Sequence, residues 1–394
     1  MQYEYIETKS AFESFCSKLT ESSYISYDTE FVSEDSYYPE LCLIQVATET
    51  QLAVIDTKEI QDSTLFFEAL ATAGHRTIVH AGREEFRYCR RATNSRPSDL
   101  FDIQLAAAFV GLEYPASYGK LIWKILDLRL PKGETRTDWR RRPLTDRQIE
   151  YALQDVIHLK DIHDVLLGKM KDLGRVEWFF EEMDAWQANV EETDQRERWR
   201  RVSGITGLPE KCLVIVRELW RWREAEAKRR NRPPKRVLRD DLIVELAKRG
   251  KAEEKQIRAI RGIDRSAAKH NIKDIAEAIR VALAIPKSEW PKNTQAPPSQ
   301  QSNLLGQFIS TALSCICRAS QLAPNVVGTV QDVRDLVTYR LFPDKQLFEE
   351  PPALATGWRA EVVGHQIDDL LAGKKVIRIS DPMSDNPITL EDQT

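Results

Sequence analysis

The sequence shows no signal-peptide pattern, no membrane-spanning run and no Cys-x-x-Cys motif. Its first residues, Met1 to Tyr5, do not place basic residues ahead of an apolar stretch, as a signal peptide does. No apolar run approaches the roughly 20 residues that a transmembrane helix needs. The six cysteines are scattered, which is typical of reduced thiols. We therefore expect a cytoplasmic protein with no membrane partner.

A general excess of positive charge is also absent, because the formal net charge of the 394 residues is −4. The basic residues are instead concentrated in residues 196–239, which contain 15 lysines or arginines, five glutamates and no aspartate. The same segment contains the tryptophans Trp199, Trp220 and Trp222. Basic and aromatic residues together favour phosphate contacts and base stacking. The alternative is that the glutamates pair with arginines one helical turn away and that the tryptophans belong to a core.

The order of predicted elements indicates an α/β domain followed by all-α domains. Four segments of the first half have the pattern of strands: 24–31, 41–47, 52–56 and 77–80. The almost continuous apolar character of the second of these suits a sheet that is covered on both faces. Helical spacing dominates from residue 175 onward. The sequence therefore predicts a mixed sheet flanked by helices in residues 1–174.

Two carboxylates lie two residues apart on the first long strand. Asp28 and Glu30 project from the face opposite to the apolar side chains Ile25, Tyr27 and Phe31. Adjacent carboxylates raise each other's proton affinity, and a hard divalent cation with oxygen ligands removes that cost. The alternative for an isolated Asp-x-Glu is a pair of solvated acids on an edge strand.

A tyrosine and an aspartate share one face of a later helix. The start of this helix is predicted from Thr145, a suitable N-cap, and from Gln148, its capping partner three residues later. Tyr151 and Asp155 are four residues apart, so they lie on the same face, offset from the apolar stripe that includes Leu153. This pair suits a third metal ligand and a phenol that orients a water. The alternative is a core tyrosine and a surface acid.

The order and spacing of these residues resemble the DEDDy 3′–5′ exonucleases, and most closely ribonuclease D. The three motifs are Asp28-x-Glu30, His80-Ala81 followed by Glu84-Glu85, and Tyr151-x-x-x-Asp155. Shorter pieces agree, namely Tyr38-Pro39, Leu41-Cys42-Leu43-Ile44-Gln45, Phe101-Asp102 and Asp138-Trp139. The resemblance implies a ribonuclease-H-like fold for an exonuclease domain in residues 1–174.

The resemblance also implies hydrolysis assisted by two divalent ions per active site. It assigns catalytic roles to Asp28, Glu30, Glu85, Tyr151 and Asp155, and metal ligation to the four carboxylates among them. Mg²⁺ or Mn²⁺ fits ligands that are all oxygen. Such ions activate a water, which the tyrosine orients, and stabilise the leaving 3′-oxygen. The implied products are 5′-mononucleotides released singly from a 3′ end.

The sequence departs from the family pattern at Glu85, where ribonuclease D usually has aspartate. One extra methylene displaces the carboxylate by about 1.5 Å. Glu85 would then reach the second ion through another rotamer or in place of a bridging water, or it would disable that site. Glu84 points about 100° away on a helix. His80, Asp102 and His158 are expected to be structural.

The second half resembles the helical modules that follow the exonuclease domain in ribonuclease D. Residues 206–286, with Trp222-Arg223 and Asn231-Arg232-Pro233, resemble a helicase-and-ribonuclease-D C-terminal (HRDC) domain. A second, weaker resemblance to an HRDC-like domain covers residues 304–380. The remaining segments are a bridging helix at 175–205, a Pro-, Gln- and Ser-rich linker at 287–303 and a disordered tail at 381–394.

Seven basic residues are candidates for contact with RNA. Three should lie near the mouth of the active site, namely Arg140, Arg141 and Arg142, and Lys132 is a further candidate for phosphate binding in the same domain. Three are in the first helical module, namely Arg223, Arg229 and Arg232.

The resemblance implies a monomeric exoribonuclease that trims the 3′ ends of tRNA precursors and other small structured RNAs. One alternative is a DNA 3′–5′ exonuclease, although no helicase phosphate loop is present. Another is an RNA-binding protein with a weakened catalytic site, an interpretation that only Glu85 supports.

Overall fold

The computed structural model describes residues 2–130, 137–263, 267–292, 300–345, 347–384 and 387–393. Strands and helices alternate in the first hundred residues, and helices follow. The strands of this half are β1 (Glu4–Ile6), β2 (Tyr24–Val32), β3 (Glu40–Ala47), β4 (Leu52–Asp56), β5 (Arg76–Val79) and β6 (Leu100–Asp102). The helices are α1 (Lys9–Leu19), α2 (Thr57–Ile60), α3 (Thr64–Ala71), α4 (Arg83–Thr93), α5 (Ile103–Ala108), α6 (Tyr118–Leu126), α7 (Asp146–Ile157), α8 (Leu159–Asp172) and α9 (Val176–Gln195).

The strands form one mixed sheet in the order β1-β4-β3-β2-β5-β6. Strand β2 pairs antiparallel with β3 and parallel with β5, which places Asp28 opposite Gln45 in the interior of the sheet. The mixed sheet with flanking helices confirms the predicted α/β class. The interpretation of Asp28 and Glu30 as acids on an edge strand does not fit, because β2 has a partner on each side.

Helices cover both faces of the sheet, as the apolar run of β3 predicts. Helix α7 packs on β2, β3 and β4, where Ala152 and Leu153 meet Cys42, Leu43 and Val54. The opposite face carries the larger core, whose buried side chains include Tyr27, Ile44, Phe66 and Phe86. The central strands are thus buried on both faces, apart from the positions where their polar side chains meet α7.

The chain after α9 forms two helical modules. The first contains α10 (Glu210–Arg229), α11 (Pro234–Val237), α12 (Asp240–Arg249), α13 (Glu254–Arg258) and α14 (Ile272–Ala284). The second contains α15 (Gln300–Ala319), α16 (Pro324–Val327), α17 (Val330–Leu341), α18 (Gly357–Arg359) and α19 (His365–Leu371), then β7 (Lys375–Ile379) and β8 (Ile388–Asp392).

The two modules relate differently to the sheet domain. The first has a core of its own, in which α10 packs against α12 and α14. The core of the second is continuous with that of the sheet domain, because Trp358 packs against Phe109 of the sheet domain and Trp178 of α9. The described residues contain no helix that is both long and apolar enough to cross a membrane.

Two boundaries of the predicted second module differ from the structure. Residues 300–303, assigned to the linker, already belong to α15. Residues 388–392, assigned to a disordered tail, form β8 and pair antiparallel with β7. Leu390 of β8 packs against the core, so the short hairpin is held by apolar contact as well as by its hydrogen bonds. Its isolated pattern of apolar residues was too short to predict a strand.

One buried arginine joins the sheet domain to the second module. Arg175 donates to the carbonyls of Phe109, at 2.8 Å, and of Gln321, at 2.7 Å, and also to that of Ser320. A second link is the hydrogen bond from the amide of Ala323 to the carbonyl of Ala108, at 2.9 Å. Arg175 therefore satisfies carbonyls at the ends of helices from both units.

We expect Arg175→Met to lower the free energy of unfolding by about 3 kcal/mol, because buried carbonyls would lose a charged donor. Urea denaturation followed by circular dichroism measures this loss. Arg258→Met, at an exposed position, is the control and should change the free energy by less than about 0.5 kcal/mol. Equal effects of the two substitutions would contradict the proposed role of Arg175.

Candidate active site

Three carboxylates converge where β2 meets α7. Asp28, Glu30 and Asp155 each place one oxygen within 4.8 Å of the others. Asp28 and Glu30 are two residues apart on β2 and therefore lie on the same face, and α7 brings Asp155 close to them. All three side chains are half-buried. The structure therefore brings together three of the four carboxylates that the sequence predicts as metal ligands.

Helix α7 is fixed at its start and along its length. Thr145 and Gln148 form the predicted capping box, in which each side chain bonds the backbone of the other. The buried face of Ile149, Ala152 and Leu153 then packs on β3 and β4. Because this face is anchored, the adjacent face of the helix, which carries Tyr151 and Asp155, is directed to the carboxylates of β2.

Tyr151 lies beside Asp155 as predicted. Its hydroxyl interacts with the Asp155 carboxylate, and the centroid of its ring is 6.2 Å from that of Trp139. Burial, followed by the charge of Asp155, raises the pKa of Tyr151 far above its usual range. The phenol therefore keeps its proton at neutral pH and remains a hydrogen-bond donor at the site.

Burial and mutual repulsion make the carboxylates poor acids. Burial, followed by the charges of Asp155 and Glu85, raises the pKa of Glu30 to about 8. Burial raises the pKa of Asp155 to about 7, although the hydrogen bond from Tyr151 lowers it in part. The pKa of Asp28 is raised well above its usual range by burial and then by Glu85, Asp155 and Glu30.

This set of groups fits a divalent cation. The donors are all carboxylate oxygens, the ligands that hard cations prefer. A cation offsets both causes of the raised pKa values, because it replaces lost solvation and screens the repulsion. The cluster is thus suited to a hard divalent cation rather than to a thiophilic metal.

Glu85 lies close to the cluster but outside it. It occupies the first turn of α4, is 5% exposed, and accepts a hydrogen bond of 2.5 Å from the hydroxyl of Thr29. Burial raises the pKa of Glu85 to about 7, and the Thr29 hydroxyl opposes that rise. Its charge is the largest electrostatic contribution to the raised pKa of Asp28. The longer side chain therefore reaches a neighbour on β2 and does not join the three-carboxylate set.

Asp102 holds the loop that precedes α4. It accepts hydrogen bonds from the amides of Ala81 and Gly82, both at 3.0 Å, and caps α5 through Gln104. A side chain at Gly82 would overlap Val79, since a Cβ there would lie 2.4 Å from a methyl of that residue. Asp102 is thus structural, as expected, and sets the position from which Glu85 extends.

The two histidines singled out in the sequence have local partners. The ring of His80 is 2.9 Å from the carbonyl of Ala116 and tilts against Tyr118. His158 lies at the junction of α7 and α8, with its ring 3.9 Å from the Asp161 carboxylate. Both arrangements match the expected structural roles.

Two of the predicted RNA contacts are engaged within the protein. Arg142 makes a two-pronged ion pair with the buried Asp56 and donates to the carbonyls of Cys42 and Trp139. Arg223 is 5% exposed and donates to Asp240 at 2.6 Å. These contacts assign both arginines structural roles, which corrects the prediction that they bind phosphate.

The other predicted RNA contacts lie at the surface or outside the described residues. Arg140 is shared between Asp138 and Asp35, whereas the side chain of Arg141 is 84% exposed. Arg229 pairs with Glu226, and Arg232 is exposed. Lys132 lies outside the residues that the structure describes.

The alternative interpretation of the basic segment is confirmed in part. Glu218 pairs with Arg217 and Arg221, and Glu226 pairs with arginines three and four residues on. Trp199 is buried, and Trp220 and Trp222 are half-buried against the core of the first module. Much of the local positive charge is therefore neutralised within the module.

Comparisons with known proteins agree with this arrangement. A family model described as 3′-5′ exonuclease matches residues 3–171, and one described as HRDC domain matches residues 213–279. Ribonuclease D of Sphingobium indicum is 31% identical over 370 residues, which cover 91% of this chain and 92% of the relative. Ribonuclease D of Pseudomonas paraeruginosa is 34% identical over 306 residues, 77% of this chain and 81% of the relative.

The chain belongs to the ribonuclease D family. The protein is a hydrolytic 3′–5′ exoribonuclease, in agreement with its exonuclease domain and its relatives. Its fold matches that of Escherichia coli RNase D with a TM-score of 0.79, over 95% of this chain and 99% of the other, at 24% identity. A protein from Bifidobacterium adolescentis matches with a TM-score of 0.70, over 94% and 97%.

Sequence reasoning missed three residues that shape the site. Thr29 binds Glu85, Gln45 donates to Asp28 at 3.0 Å, and Asn231 of the first module binds the loop after β2. A signal was present for Gln45, which is a polar residue inside the apolar run of β3, next to the strand of Asp28. The other two contacts depend on side-chain conformation and domain packing.

We expect the metal-free protein to lose stability as the pH rises from about 5 to 8, because Glu30 has a higher pKa folded than its ordinary 4.5. The folded protein then binds protons more tightly than the unfolded chain in this window. Glu30→Gln should flatten the fall in the unfolding midpoint measured with chelator present. Parallel pH profiles for the wild type and the variant would contradict the raised pKa.

Proposed function

We propose that this exoribonuclease uses two divalent ions, Mg²⁺ or Mn²⁺, to release 5′-mononucleotides from the 3′ extensions of tRNA precursors and other small structured RNAs. The observation that carries the proposal is the convergence of Asp28, Glu30 and Asp155 beside the Tyr151 hydroxyl. The family relationship supports an RNA substrate, and the protein acts as a monomer in the cytoplasm.

The carboxylates have distinct roles in this proposal. Asp28, Glu30 and Asp155 would hold one ion, and Asp28 and Glu85 would hold the second. The bound ions would lower the pKa of the attacking water and stabilise charge on the leaving 3′-oxygen. Tyr151 retains its proton and orients the water by a hydrogen bond. The Tyr151 hydroxyl and Asp155 thereby fix the direction of attack on the terminal phosphodiester.

Glu85 must change its contacts before it can bind the second ion. Its carboxylate accepts a hydrogen bond from Thr29 and lies outside the set that can share one ion. Leaving Thr29 has a cost of about 1 kcal/mol for the lost hydrogen bond. Glu85 is nevertheless near enough for its charge to raise the pKa of Asp28, so a change of rotamer rather than of backbone brings it to the second site.

A 5′-labelled tRNA with a short 3′ extension tests the activity and its metal requirement. With Mg²⁺ or Mn²⁺ we expect a ladder of products that shorten by single nucleotides, and with chelator no shortening. Asp155→Ala should lower the rate by at least about 10³-fold, and Tyr151→Phe by about 10²-fold. Lys171→Ala, an exposed residue on the end of α8, is the control for handling and folding.

The same time course separates the proposal from its rivals. A DNA strand of the same sequence that is shortened faster than RNA would favour a DNA exonuclease. RNA that is bound but never shortened with either metal would contradict catalysis and favour a binding protein.

We expect Glu85→Asp to raise the single-turnover rate by about 10-fold, because the shorter carboxylate no longer reaches Thr29 and adopts the position usual in the family. Glu68→Asp is the matched control, since Glu68 is exposed on α3 and lies outside the site, and it should change the rate by less than two-fold. A slower Glu85→Asp enzyme would mean that the site is adapted to glutamate.

A further inference from the structure

A cleft of 610 Å³ lies between the sheet domain and the first helical module. One wall is the loop after β2, at Tyr37, Tyr38 and Pro39, together with the outer side of α4. The other wall comes from the end of α9 and from α10, including Trp220. Its volume is within the range of cavities that accommodate small ligands.

The walls of this cleft are held together by hydrogen bonds between the two units. The side-chain oxygen of Asn231 accepts from the amides of Tyr37 and Tyr38, each at 3.1 Å. Arg236 of the first module pairs with Asp35 of the same loop at 2.8 Å. These polar contacts fix the two walls of the cleft relative to each other.

The cleft has more positive than negative charge. Six basic side chains and four carboxylates line it. The carboxylates already have partners in the protein: Glu84 and Asp194 pair with Arg87, and Glu191 pairs with Arg90. The fourth, Glu224, contacts Arg223, the buried arginine described above.

Three of the cations have no carboxylate partner among the residues that the structure describes. They are Arg91, Arg196 and Lys228, and all three are exposed. The guanidinium of Arg91 lies over the rings of Tyr38 and Tyr88, at 5.3 and 4.6 Å from their centroids. Stacking leaves its N–H edge available to an anion.

Aromatic rings lie among these cations. Tyr37 and Tyr38 contact each other edge to face at 4.9 Å, and the half-buried Trp220 lines the opposite side. A groove that combines free cations with aromatic rings is the surface that binds single-stranded nucleic acid, with phosphates at the cations and bases on the rings.

The cleft is lined by sequence neighbours of residues in the candidate active site. Glu84 and Phe86 line it, and they flank Glu85 in sequence. Tyr37 lies in the loop that leaves β2, the strand of Asp28 and Glu30.

We propose that this cleft binds an unpaired segment of the RNA substrate upstream of the nucleotide being removed. Arg91, Arg196 and Lys228 contact its phosphates, and Tyr37 or Trp220 stacks with a base. The assignment rests on the proposed function for the direction of the strand, whereas binding itself does not require catalysis.

The test measures binding without hydrolysis, in chelator, by fluorescence anisotropy of a 5′-labelled 12-nucleotide single-stranded RNA. We expect the triple variant Arg91→Ala/Arg196→Ala/Lys228→Ala to raise the Kd at least 10-fold. The slope of log Kd against log salt should fall by about 2, since each phosphate contact contributes roughly 0.7. The charge-matched control is Lys171→Ala/Lys251→Ala/Arg258→Ala, at exposed positions outside the cleft.

A second measurement locates the RNA on the protein. RNA that carries 4-thiouridine should cross-link, on irradiation, to peptides that contain Tyr37 or Trp220. A Kd of the triple variant within two-fold of the control, or cross-links that all map elsewhere, would overturn the proposal. If the triple variant does not fold, Lys228→Glu alone gives the same comparison at one exposed position.

These results are separable from a failure of the proposed function. Loss of binding in the triple variant supports the cleft even if the wild type hydrolyses no RNA. Conversely, the wild type could shorten RNA while the triple variant binds RNA as tightly as the control. That result would support the proposed activity and contradict the proposed role of the cleft.

Discussion

Repulsion among closely spaced carboxylates is the constraint on which the rest of this structure depends. Asp28, Glu30 and Asp155 share a half-buried site, and their raised pKa values measure how unfavourable their charged forms are there. Such a site persists only when the surrounding structure supplies the stability, which here comes from a sheet covered on both faces and from a capped, packed helix. A cation then finds ligands that are already in place, and its binding energy is not used to assemble them.

The Thr29–Glu85 contact shows how one methylene changes that arrangement. Two neighbouring residues of β2 point to opposite faces, so Thr29 is available to a group arriving from α4 while Asp28 faces α7. A shorter acid at position 85 would not span the distance to the hydroxyl. The Thr29 hydroxyl thus supplies the buried Glu85 carboxylate with a hydrogen bond, which Glu85 would have to give up to reach the second ion proposed above.

The parts of the fold and site that follow from periodicity could be predicted from the sequence. Spacing of two on β2 and of four on α7 placed Asp28, Glu30, Tyr151 and Asp155 correctly, because these periods are fixed by backbone geometry. Composition was a poorer guide to Arg142 and Arg223, since a basic residue looks the same in sequence whether it meets a phosphate or a buried carboxylate. The conformation of Glu85 was equally hidden, because it depends on a partner 56 residues away.

The continuous core of the sheet domain and the second module defines a cooperative unit that is discontinuous in the chain. Residues 6–190 and 309–367 contribute to one set of buried contacts, whereas the first module, which lies between them in sequence, has its own. The first module is therefore inserted between two segments of the chain that share one hydrophobic core. The exonuclease domain completes that core with residues of the second module. During synthesis, the catalytic domain would leave the ribosome before the helices that cover Trp178 and Phe109, and would expose those aromatic side chains until they arrive.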